Sequence, residues 1–81
     1  MKVFVSHESH PIEDCAAATV VVAAASRMEA VAALRSAGFA ARDVKLTSSG
    51  SPEERVALQE PGVVHWTDWA ADVGVSEWRR M

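Results

Sequence analysis

Two serine-led helix starts, Ser26-Arg27-Met28-Glu29 and Ser51-Pro52-Glu53-Glu54, constrain this chain more than any other feature. In each, the serine hydroxyl is placed to accept from the N–H three residues on. The glutamate at that position can reach back toward the serine N–H, so donors that a helix start leaves orphaned are satisfied. Two helices within 81 residues leave room for only a few short strands. The first helix carries Met28, Ala30, Val31, Ala33, Leu34 and Ala37 as a broad apolar face. It is expected to stop at Gly38, with Phe39 folding back on it as the hydrophobic contact of the stop signal. The second opens with Pro52 at the first helical position, where its missing N–H costs nothing, runs to about Glu60, and ends at Pro61-Gly62.

Lys2-Val3-Phe4-Val5-Ser6 is short, β-branched and aromatic, and Thr19-Val20-Val21-Val22 is a stronger run of the same kind. The two are expected to pair antiparallel across a polar hairpin loop that holds Glu8, Pro11, Glu13 and Asp14. Val63-Val64-His65-Trp66 has the composition of a third strand. Between the helices, Val44 and Leu46 alternate like a strand, but Ala40-Ala41-Arg42-Asp43 suits a helical turn, and the stretch is read as an irregular connection. The expected architecture is α+β: a single domain over residues 1–81, with a small antiparallel sheet of about three strands and two helices packed on one face.

A domain of this length buries only about 60% of the surface its unfolded chain exposes, so a catalytic cleft would be costly to carve from it. The hydrophobic fraction of 49% is ample, but much of it is alanine and valine, which bury little area each. Eight Lys and Arg against eleven Asp and Glu give a net charge of −3, which argues against a protein that holds nucleic acid by neutralising phosphates. Cys15 is the only cysteine, so no intramolecular disulfide can form and a reducing, cytoplasmic setting is expected. Lys2-Val3-Phe4-Val5 followed by polar Ser6-His7-Glu8-Ser9-His10 does not read as a secretory signal. The apolar run from Ala16 to Ala25 has about half the length that spans a bilayer.

His7-Glu8-Ser9-His10 superficially resembles a zinc-protease motif, but that motif needs its two histidines four apart on a helix, and these are three apart in a loop. His7, His10 and Cys15 have the ligand chemistry to clasp a zinc ion, against which stands the plainer reading of a solvated loop, and no metal or other cofactor is expected. His65 is read as a packed or edge histidine. Cys15 lacks a glycine-rich or helix-N-terminal setting that would lower its pKa, and Gly38, Gly50, Gly62 and Gly74 are too scattered to cradle a phosphate. No catalytic constellation emerges.

The stretch from Ala70 to Arg80 resembles the turn of a helix-turn-helix, with Ala70 four residues before Gly74 and Val75-Ser76 opening a short second helix toward Arg79-Arg80. This supports an alternative expectation, a small DNA-binding transcriptional regulator, although Asp68, Asp72 and Glu77 would face phosphates unfavourably. The aromatic distribution points elsewhere. Trp66, Trp69 and Trp78 fall in the last sixteen residues, more than an alanine-rich core readily absorbs, so at least one is expected near the surface. Tryptophan is enriched at interface hot spots, and the interleaved acids supply charge complementarity toward a basic partner. Trp66, Asp68, Trp69, Asp72, Glu77 and Trp78 are therefore the candidate partner-binding residues, with capping of the core as the alternative role for the tryptophans.

In outline, Lys2-Val3-Phe4-Val5, Val20-Val21-Val22-Ala23-Ala24 with Ser26 and Glu29-Ala30, and Pro52-Glu53-Glu54 through Ala57-Leu58 to Pro61-Gly62-Val63-Val64 resemble small orphan proteins carried by phages and prophages of Gram-negative bacteria. The resemblance covers most of the chain through generic strand, cap and turn signals and transfers no functional residue. It implies a compact, acidic, non-enzymatic protein whose role is inhibition of host defence, as in the anti-CRISPR proteins. The expected partner is then a host protein or ribonucleoprotein such as a CRISPR effector.

Overall fold

A computed structural model describes residues 1–8, 18–47, 49–68 and 78–80, with only the backbone of Asp68. In chain order the elements are β1 (Lys2–Glu8), β2 (Ala18–Ala24), α1 (Arg27–Ser36), β3 (Lys45–Leu46), α2 (Pro52–Gln59), β4 (His65–Asp68) and β5 (Arg79–Arg80). The class is α+β. The strands form a sheet in the order β3-β1-β2-β4-β5, with every neighbouring pair antiparallel.

β1 and β2 pair along their full lengths, from Lys2 opposite Ala24 to Glu8 opposite Ala18. The sheet is wider than the expected three strands. Lys45–Leu46, read as part of an irregular connection, adds a short strand to the outer edge of β1, and Arg79–Arg80 adds one beyond β4. β4 itself lies two residues later than the Val63–Trp66 run. Gly62, at φ 86°, donates its N–H to the Ala23 carbonyl at 2.9 Å, so Val63 and Val64 are spent on entering the sheet.

Both helix starts are capped by serine. Ser26 Oγ accepts from Glu29 N–H and Ser51 Oγ accepts from Glu54 N–H, each at 3.2 Å. The glutamates reach one residue further back than the serine N–H: Glu29 accepts from Ala25 N–H at 3.3 Å, and Glu54 from Gly50 N–H at 2.9 Å. α1 ends as its glycine requires. Gly38 sits at φ 101° and donates to the Arg35 carbonyl, while Phe39 N–H closes onto the Leu34 carbonyl at 3.0 Å and its ring packs in the same core cluster as Leu34.

The helices do not share a face of the sheet, which corrects the one-face expectation. Phe4, Ala18, Val20, Val22, Ala24 and Trp66 pack with Ala30 and Leu34 of α1 and with Phe39, Ala41, Val44 and Val64. The odd-numbered side chains Val3, Val21 and Ala23 pack with Val56 and Ala57 of α2. Connectivity explains the split: α1 carries the chain from β2 past β1 to the β3 edge on one side, and α2 carries it back to β4 on the other. All seven residues of β2 are buried, as a strand covered on both faces must be.

Candidate functional site

β4 ends at Asp68 and β5 begins at Arg79, and most of the candidate acidic and tryptophan residues lie between them in sequence. Register fixes both ends at the same edge, with Trp66 opposite Arg79 and His65 opposite Arg80. Asp68 closes β4 opposite Ala18. Trp69, Asp72 and Glu77 lie outside the described residues.

Trp66 is a core residue, 3% exposed, packed on the α1 face beside Val20. Its ring is also covered from outside by Arg79, whose guanidinium carbon stands 5.1 Å from the ring centroid, within cation–π range. Trp66 therefore steadies β4 and is not exposed as a surface anchor. Trp78 is half-buried against the α2 face, next to the cluster of Val3, Val21, Ala23, Val56 and Ala57. Two tryptophans flank the sheet end from opposite faces.

An ionic cluster holds the same edge. Glu60, the C-cap of α2, places Oε2 3.0 Å from Arg80 Nη2 and Oε1 3.4 Å from His65 Nε2. His65 is 5% exposed, and its Nδ1 lies 3.2 Å from the Val63 carbonyl, so both ring nitrogens face oxygen acceptors. It is a packed histidine that ties α2 to β4. Arg79 and Arg80 are strand residues, not the tail of a recognition helix, and both are engaged within the chain. The helix-turn-helix expectation fails at these positions because pairing with β4 satisfies the backbone that a helix would have satisfied.

His7, one of the three possible metal ligands, is exposed at the end of β1 with Nδ1 3.1 Å from Thr19 Oγ1; His10 and Cys15 lie outside the described residues. Among the described residues no three His, Cys, Asp or Glu side chains come together as a metal site would require. The next residue, Glu8, expected in the hairpin loop, instead closes β1. It accepts from Ser6 Oγ–H at 2.6 Å and from Ala41 N–H at 2.8 Å, at the rim of a cleft of about 350 Å³ lined also by His7, Gly38, Ala40, Arg42 and Asp43. With one hydrogen bond accepted at each carboxylate oxygen, Glu8 ties the end of β1 to the backbone at Ala41. Nothing local to the sequence marks that role, since its partner lies 33 residues away.

Among the described residues no helix is long and apolar enough to cross a membrane. No protein-family model matches the chain, and neither the curated proteins nor the solved structures include a significant match to it.

Proposed function

We propose that this protein is a small non-enzymatic binding module of the anti-CRISPR kind. It inhibits a host defence complex by occupying a basic, nucleic-acid-binding surface with the residues between β4 and β5. The observation that carries this reading is the antiparallel pairing of β4 with β5, which anchors both ends of an acid- and tryptophan-bearing segment at one edge of a two-sided core. Binding segments work best when a rigid scaffold presents them, because less ordering entropy is lost on association. Asp68, Asp72 and Glu77 take the places of target phosphates, and Trp69 and Trp78 supply apolar area. Trp66 supports them from the core. The net charge of −3 favours such a partner and disfavours direct phosphate binding.

The test is competition between the purified protein and target duplex for a CRISPR effector ribonucleoprotein. The protein is expected to displace duplex, with an affinity that falls as salt rises, and Asp72→Lys with Glu77→Lys is expected to abolish displacement. Displacement that charge reversal leaves unchanged overturns the mechanism. A salt-sensitive shift of duplex DNA by this protein alone overturns it in favour of the DNA-binding regulator.

A further inference from the structure

A second surface lies on α1, independent of the β4–β5 edge. Ala30 and Leu34 turn into the core, with Val31, Ala33 and Ala37 packed beside them. The outward side presents Arg27, Met28, Val31, Ala32 and Arg35, which line a shallow depression of about 550 Å³. Met28 is 82% exposed, the most of any large apolar residue among those described. Serial positions 28, 31, 32 and 35 fall on one side of a helix, so the apolar groups form a stripe with Arg27 at its start and Arg35 at its end. Eight residues of helix separate the Cα atoms of the two arginines by about 12 Å along the axis. The helix start is already closed by Ser26 and Glu29, so the helix dipole is not what this face offers.

We infer that this face of α1 docks an acidic amphipathic helix of a partner protein, with Met28, Val31 and Ala32 taking its apolar stripe and Arg27 and Arg35 pairing with carboxylates at either end. Charge selects this occupant. A second copy laid on the same face would set arginine against arginine in either orientation, because the two cations bracket the stripe. Nucleic acid would meet an apolar stripe between two cations, too few to hold a phosphate backbone at physiological salt. An acidic helix matches both the stripe and its ends, in the helix-on-groove manner of peptide recognition.

The probe is a labelled peptide of roughly four turns built from Leu, Ala and Glu, compared with a twin carrying Lys for every Glu, titrated against the intact protein by fluorescence anisotropy. The acidic peptide is expected to bind saturably and the basic twin not to. Met28→Ser is expected to weaken binding about fivefold to tenfold, and Arg27→Glu with Arg35→Glu to transfer the preference to the basic twin. Both substitutions fall on exposed positions, so thermal melting by circular dichroism should stay unchanged and separate lost docking from lost folding. Absence of saturable binding, equal affinity for the two peptides, or indifference to Met28→Ser overturns the inference. So does self-association abolished by Met28→Ser, which would give the face to a second copy, or duplex DNA binding abolished by the arginine reversals. Asp72→Lys with Glu77→Lys should leave peptide binding intact, so failure here and failure of the β4–β5 reading are read separately.

Discussion

Glu8 holds Ala41 against the end of β1: its Oε1 accepts from Ala41 N–H at 2.8 Å while its Oε2 accepts from Ser6 Oγ–H at 2.6 Å. Ala41 stands at φ 55°, a left-handed conformation that costs a residue with a Cβ about 1 kcal/mol or more. The carboxylate thus secures a strained corner at the point where the chain leaves Phe39 and heads for β3. The corner sets Val44 into the α1-side core and lets Lys45–Leu46 reach β1.

Replacing Glu8 with alanine leaves the buried Ser6 hydroxyl and the Ala41 N–H without their acceptor. The expected loss is about 1–3 kcal/mol, with Glu8→Gln costing less because it keeps a carbonyl oxygen. Urea unfolding gives the difference, and amide exchange should quicken first at Ala41 and β3. An unchanged midpoint for Glu8→Ala would remove the anchor role.

Coverage of both sheet faces makes consecutive residues of β2 equally vulnerable. Val21 faces α2 and Val22 faces α1, and both are fully buried. Val21→Ala and Val22→Ala are each expected to cost about 1.5–3 kcal/mol, from two lost carbons and the cavity they leave. A sheet with helices on one face only would tolerate one of the two, so a near-neutral result at either position contradicts the sandwich.

Leu34 and Met28 lie six residues apart on α1 with opposite fates, one fully buried and the other 82% exposed. Leu34→Ala is expected to lose about 2–5 kcal/mol, a large share of the stability of a small domain, whereas Met28→Ala should stay within about 0.5 kcal/mol. Chemical denaturation of the pair checks the rotation of the helix about its axis.

Glu60→Ala removes the acceptor that Arg80 and His65 share. Because Arg80 and Glu60 are partly exposed, their ion pair contributes at most about 1 kcal/mol, but His65 is buried and loses the partner of Nε2. The sharper readout is local: β5 should detach more often, seen as faster exchange of the amides paired across β4 and β5 and a shift of the Trp66 indole resonance as Arg79 leaves its ring. Equal exchange in both proteins would mean that the Glu60 contacts do not hold β5 in place.

Much of the local structure was legible because its causes are local. Ser26 and Ser51 cap the helices whose starts they mark in the sequence, Gly38 and Phe39 close α1 as that sequence of residue types implies, and the β1–β2 hairpin follows from two β-branched runs. Less legible was what edge pairing adds. Lys45–Leu46 and Arg79–Arg80 have weak intrinsic strand preference and become strands because β1 and β4 offer open edges. The unbroken burial of Ala18–Ala24 was foreshadowed by a run in which only Thr19 is polar, a pattern that a sheet exposed on one side would not carry.

For the functional surfaces the division is the same. The sequence by itself determined the acidic balance, the crowding of tryptophans toward residue 78, and the helix boundaries, since charge, composition and capping act over a few residues. Only the tertiary structure decided that Trp66 belongs to the core under Arg79, that Arg80 is drawn to Glu60, and that Glu8 restrains Ala41. It also decided which side of α1 faces outward. Each of these depends on which distant segment packs against a residue, and the two helices crossing opposite faces of one sheet make that choice.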